Sequence, residues 1–105
     1  MDTLEDKKAE DIVLLDLQGS TPFMDYFVIC TGTSERQLQA LVDAVAETAR
    51  KKHRLKPPRI EGRAAGGWVL VDFRDVIVHA FSRDQRRRYR LEELWQTAKI
   101  VVRIQ

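Results

Sequence analysis

Asp72 and Asp75 stand close together in an apolar stretch, and a Gly32-Thr33-Ser34 step ends an earlier apolar run. Paired carboxylates can hold Mg²⁺ beside a triphosphate, and a Gly-Ser turn at a helix start can cradle phosphate; both belong to nucleotidyl transfer. The Asp-x-Asp strand that should follow the Gly-Ser turn is missing. Asp72 and Asp75 instead flank a hairpin turn, where aspartates act as turn and capping groups, and Asp16 and Asp25 at strand ends read as Asx-turn formers. His79 lies among Val78, Ala80 and Phe81 without a nucleophile or ligand set, so it reads as a hydrogen-bonded strand histidine. No Cys/His metal cluster and no Ser-His-Asp constellation is visible, so catalytic, metal and cofactor residues are expected to be none.

Two further features could bind rather than catalyse. Arg83, Arg86, Arg87, Arg88 and Arg90 crowd around Tyr89. On a helix they do not share one side, which favours a solvated surface with pairs such as Arg88 to Glu92; Arg86, Arg87 and Arg88 are the candidates for RNA contact, because arginines beside an aromatic suit phosphate and base stacking. Trp68 begins a strand directly after a glycine-rich loop. A large aromatic there is either core material or an interface anchor. Trp95 has the spacing of a helix core residue.

These side chains depend on a small set of elements. Thr3 to Glu10 reads as a short charged helix, Ile12 to Leu17 as a strand covered on both faces, and Gln18 to Pro22 as its exit turn. Asp25 to Gly32 is a buried strand, and Ser34 with Gln37 forms a capping box that opens a helix with the apolar stripe Leu38, Leu41, Val42, Val45, Ala49. That helix must end before Pro57-Pro58, and its last turns carry Arg50, Lys51, Lys52, His53 and Arg54. Pro58 to Gly62 fits an edge strand, Arg63 to Gly67 an unpinned loop, and Trp68 to Phe81 a hairpin turning at Arg74-Asp75. Arg83 to Ala98 reads as a helix with Leu91, Leu94, Trp95 and Ala98 on one face. Lys99 to Gln105 either adds a strand or stays loose.

A chain of 105 residues with 44% hydrophobic residues is one domain with one core. Eighteen basic against 16 acidic side chains give a net charge of +2, too mild to announce a nucleic-acid binder. Cys30, the only cysteine, lies within an apolar strand and reads as a buried inert thiol. No long apolar span, secretory signal or arginine-rich leader is seen, so the cytoplasm is expected.

The stretches Asp25-Tyr26-Phe27-Val28-Ile29-Cys30-Thr31-Gly32-Thr33-Ser34 and Trp68 to His79, with Lys8-Ala9-Glu10-Asp11-Ile12 and Glu61-Gly62, resemble the Iojap or ribosomal silencing factor (RsfS) family over residues 7–95. The element order and the resemblance imply a single α/β domain over residues 1–105, with a mixed, roughly five-stranded sheet flanked by helices and a nucleotidyltransferase-like topology. The resemblance also implies a non-enzymatic protein that binds the large ribosomal subunit through its ribosomal protein number fourteen. By blocking subunit joining it would repress translation when nutrients are short. It assigns Trp68 to the ribosome-facing surface, and electrostatic complementarity to a basic protein makes Asp72 and Asp75, beside Trp68, better interface candidates than metal ligands. Self-association in the family leaves both a monomer and a homodimer open for the free protein, and a bacterial or trimmed organellar source is expected. Relatives commonly have glycine where Arg74 stands, so a positive φ there would bring strain. A diverged nucleotide binder, or a general RNA-binding domain resting on Arg83 to Arg90, are the alternatives.

Overall fold

The apolar strands β2 (Tyr26–Gly32) and β5 (Val76–Ser82) pair in parallel at the centre of the sheet, from Tyr26 opposite Val76 to Gly32 opposite Ser82. A parallel pair needs cover on both faces, and this sets the layering of the whole domain. The computed structural model describes residues 2–17, 25–54, 56–89 and 99–104. β1 (Glu10–Asp16), β3 (Arg59–Arg63), β4 (Trp68–Asp72) and β6 (Lys99–Ile104) complete one mixed sheet in the order β3-β4-β5-β2-β1-β6, every pair but β2–β5 being antiparallel.

The expected α/β architecture is present. The strand count differs by one because the segment from Lys99 pairs along β1, from Ile12 opposite Ile104 to Asp16 opposite Lys99, and so forms an outer strand. The expected exit turn Gln18 to Pro22, and the second half of the last helix with Leu91, Leu94 and Trp95, lie outside the described residues.

Alternation along the strands divides the core. Val28, Cys30, Val69, Val71, Val78, Ala80 and Ile12 point to one face, where α2 (Glu35–His53) lays Leu38, Leu41 and Val42 upon them. Phe27, Ile29, Val13, Leu15 and Phe81 fill the other face. α1 (Asp2–Asp6) is shorter than the sequence suggests and adds Leu4 to the α2 side.

Ser34 caps α2 through its Oγ, which accepts from the Gln37 backbone N–H at 3.1 Å. The Gln37 side chain reaches back one residue further than a capping box requires: its Oε1 accepts from the Thr33 N–H and hydroxyl, and its Nε2 donates to the Lys7 and Lys8 carbonyls. One glutamine thus joins the helix start to the chain before β1. Cys30 is fully buried, and desolvation pushes its thiol up to about 12, as befits an inert core residue.

The loop from Arg63 to Gly67 is not loose. It forms a 3₁₀ turn over Ala64–Gly66 with Ala64 in the core, closed by a Gly67 N–H to Ala64 carbonyl bond, and the Gly67 carbonyl accepts from the Ser82 N–H at 2.8 Å. Short residues signalled flexibility in the sequence; here they permit close approach, since a Cβ on Gly67, at φ +78°, would stand 2.6 Å from the Ser82 Oγ. The β4–β5 turn holds Arg74 at φ 82°, the left-handed region. Its N–H bonds to the Asp72 Oδ1 at 2.6 Å, and Phe73 N–H closes the turn on the Val76 carbonyl. Arg74→Gly should therefore stabilise the fold by up to about 1 kcal/mol, read as a higher urea midpoint with an unchanged slope.

Candidate partner-binding surface

β4 and β5 run antiparallel with Trp68 opposite Phe81 and Leu70 opposite His79, so these four side chains share the face away from α2. α3 (Arg83–Tyr89) follows β5 directly, with Ser82 Oγ accepting from the Gln85 N–H, and brings Tyr89 over the same face. The result is an aromatic cluster. The Trp68 ring stacks on Phe81 with centroids 5.0 Å apart and lies 4.6 Å from Tyr89. Its indole N–H donates to His79 Nδ1 at 3.2 Å, and Phe27 meets the imidazole edge-on at 4.6 Å.

Trp68 is half-buried while Phe81 is wholly buried and Tyr89 is 43% exposed, so the indole spans the boundary between core and surface. A cleft of about 240 Å³ lined by Glu61, Gly62, Trp68 and Leu70 opens beside it. Gly62 is required there: it sits at φ +86°, and a Cβ would overlap the Trp68 carbonyl oxygen. Its lack of a side chain lets β3 lie against the start of β4.

Asp72 shares the strand with Trp68 but lies four residues on, about 13 Å away. Its carboxylate accepts from Arg74 N–H and lines a cavity of about 510 Å³ with Lys56, Arg59 and Arg74. Asp75 is exposed, and its carbonyl accepts from the Asp25 and Tyr26 N–H groups at the start of β2. The sequence places both aspartates beside Trp68; the structure sets them at the other end of the hairpin. They also stand at the opposite end of the sheet from Gly32-Thr33-Ser34, which begins at the last residue of β2. The seven residues of β2 separate them by roughly 20 Å, so these parts do not converge on one nucleotide site.

The arginine run is divided by its surroundings. Arg86 is only 6% exposed: one terminal nitrogen donates to the Asp11 carbonyl at 3.0 Å and to the Thr31 hydroxyl at 2.9 Å, and the other lies 3.4 Å from the Asp11 carboxylate. Expected among the RNA contacts, Arg86 is instead an internal tie between α3 and strands β1 and β2, because its head is spent on buried acceptors. Arg83 forms a two-point pair with Glu10, holding that carboxyl below its usual range. Arg87 pairs with Asp84 one turn away, and Arg87 and Arg88 are exposed. The internal role of Arg86 had no signal in the sequence, since nothing local separates it from Arg87 and Arg88.

Burial pushes His79 down to about 4 from 6.5, so the imidazole is neutral at physiological pH and can accept the indole N–H. Because the folded value is depressed, the stability held by the neutral ring is fully present above pH 6.5 and is lost as pH falls from 6.5 through 4. The unfolding free energy of the native protein minus that of His79→Phe should shrink across this window by up to about 3 kcal/mol, measured by urea titration at stepped pH. Separately, Arg86→Met should cost about 2 kcal/mol by leaving buried acceptors unserved, while Arg87→Gln and Arg88→Gln stay within about 0.5 kcal/mol of native.

Residues 1–105 match the family described as "Ribosomal silencing factor during starvation". The chain is 40% identical over 101 residues to Ribosomal silencing factor RsfS of Halalkalibacterium halodurans, covering 96% of this chain and 86% of that protein. It is 42% identical over 96 residues to the RsfS of Bacillus subtilis, covering 91% and 80%. A mouse protein named "Mitochondrial assembly of ribosomal large subunit protein 1" is 34% identical over 94 residues, 88% of this chain and 41% of that one. A crystal structure from Chromobacterium violaceum, 36% identical, superposes with a TM-score of 0.84 over 90% of this chain and 78% of that one. With its six-stranded mixed sheet and a family match along its full length, the chain belongs to the ribosomal silencing factor (RsfS/Iojap) family.

Proposed function

We propose that this protein acts without catalysis, seating itself on the large ribosomal subunit through ribosomal protein number fourteen and thereby keeping the small subunit from joining. Translation falls as a consequence, and the bacterial cytoplasm is where this acts. Family membership and the name of the mouse relative, which speaks of large-subunit assembly, support the ribosome as partner. The observation that carries the anchor is Trp68, a half-buried indole backed by a rigid aromatic cluster with a cleft open beside it. A large aromatic fixed from behind and free in front loses little freedom on docking, which is the character of an interface hot spot.

Charge then orients the approach. Asp72 and Asp75 offer carboxylates to a basic protein, and their position at the far end of the hairpin makes them rim contacts about a strand length from the anchor. Peripheral ribosomal-RNA contact falls to exposed cations. Arg87 and Arg88 remain candidates; Lys56 and Arg74 are exposed, have no ion-pair partner among the described residues, and line one cavity at the β4–β5 turn.

Trp68→Ala should keep its circular dichroism spectrum yet bind isolated large subunits at least about 30-fold more weakly, whereas Arg87→Gln with Arg88→Gln should mainly flatten the dependence of affinity on salt. Ribosomal protein number fourteen alone should retain the native chain in a pull-down. Failure of that capture, together with loss of subunit binding in the double arginine variant, would make the protein an RNA binder instead.

A further inference from the structure

The Trp68–His79 contact has consequences for the partner as well as for the fold. His79 is 4% exposed and sits on β5 between two rings: Phe27 of β2 meets it edge-on at an interplanar angle of 70°, and Phe81 lies nearly parallel to it at 10°. These contacts fix the imidazole plane so that Nδ1 faces the indole. Because Nδ1 accepts, the ring proton must be on Nε2, and Nε2 is buried with no hydrogen-bond partner among the described residues. A phenylalanine or leucine would fill this site without an orphaned donor, so packing alone does not account for an imidazole. What the imidazole adds is an acceptor for the indole.

We infer that His79 is the positioning residue of the Trp68 anchor, locking its indole N–H into an internal bond so that the surface meets its partner as an apolar aromatic face with no free donor. The inference rests on the proposed role of Trp68 in ribosome binding. It follows that the receiving pocket on the partner is lined by aliphatic groups and offers no acceptor to the indole: any acceptor there would remain unpaired on docking and oppose binding. Selectivity at this point is by shape. The fixed indole also avoids the loss of rotamer freedom that a mobile tryptophan would suffer on docking, which slows dissociation relative to an unlocked ring.

Among the described residues the ring meets aromatic and aliphatic side chains: β2 faces it with Phe27, β4 with Trp68 and Leu70, and β5 flanks it with Phe81, while Tyr89 of α3 lies tilted against Trp68 and Phe81; burial is what lowers the basicity of His79. At neutral pH the acceptor is therefore always available.

The experiment is nuclear magnetic resonance on the ¹⁵N-labelled full chain, followed by large-subunit binding of three variants. A scalar coupling across the Trp68 Nε1–H to His79 Nδ1 bond should be visible near neutral pH and should persist when unlabelled ribosomal protein number fourteen is added. His79→Phe should abolish it and weaken subunit binding about tenfold through faster dissociation, while His79→Asn, whose Oδ1 can occupy the Nδ1 position, should recover most of the affinity. Absence of the coupling in the native chain overturns the inference whatever the binding shows, as does a switch of the indole hydrogen bond from His79 to an acceptor on the partner in the complex. Weak binding by Trp68→Ala beside native binding by a folded His79→Phe overturns it while leaving the anchor in place. Native binding by a folded Trp68→Ala overturns the anchor itself.

Discussion

A strand can offer a given side chain to only one face of its sheet, and in β4 and β5 this parity decides both the core and the site. Val69, Val71, Val78 and Ala80 turn toward α2, so Trp68, Leu70, His79 and Phe81 must turn the other way. A one-residue slip between β4 and β5 would send the tryptophan under α2 and a valine to the surface. Two glycines hold the neighbouring chain close enough for that register to persist. Gly62 lets β3 approach the Trp68 carbonyl, and Gly67 lets the preceding turn lie against Ser82. Both occupy left-handed backbone where a side chain would bring strain and collision together.

The second requirement is that the face bearing Trp68 be covered in part, and Arg86 supplies the docking contact. Its guanidinium ties α3 to the Asp11 carbonyl and the Thr31 hydroxyl, across two adjacent strands. Tyr89 stands three residues later, one turn further along the helix, and so arrives over Trp68 and Phe81. A buried cation is a costly way to seat a helix unless its hydrogen bonds are satisfied, but it is directional where an apolar contact is not. Asp11 takes a positive φ of 45°, beside the irregularity in the β1–β2 register, and its carbonyl accepts from Arg86 there.

Where the chain's order is local, it was legible in the sequence. The Ser34 cap, the α2 stripe, the buried strand ending at Gly32 and the hairpin from Trp68 are each specified by residues within a few positions of one another. What escaped depends on distant parts. The fate of Arg86 is set by Asp11 and Thr31, which lie 75 and 55 positions away. The loop at Ala64 to Gly67 looks unconstrained until Ser82 and Gln85 are brought against it, and of the two readings left open for the segment from Lys99 the strand is realised because β1 offers it an edge. The candidate surface was legible only in part. Trp68 announced itself by size and by the glycines before it, whereas the histidine behind it looked like any strand histidine, since the diagonal pairing that joins them is a property of register.

The two ends of β4 consequently differ in physical character. At one end the indole is held by an internal N–H···N bond and stacked rings, with its polar atom already satisfied. At the other, Asp72 lies among Lys56, Arg59 and Arg74, exposed charges whose fields reach about a Debye length into solvent. Charges of that kind act before contact, steering and orienting an approaching partner, while a desolvated ring acts after contact by resisting separation. With about 13 Å between them on one strand, the two ends of β4 would act separately in the proposed complex, because ions that screen the charged end leave the packing at the aromatic end unchanged. Arg74 fits this division: it holds a left-handed turn position that glycine would occupy with less strain, and in return it sets a further cation beside Lys56 and Arg59 at this end of the hairpin.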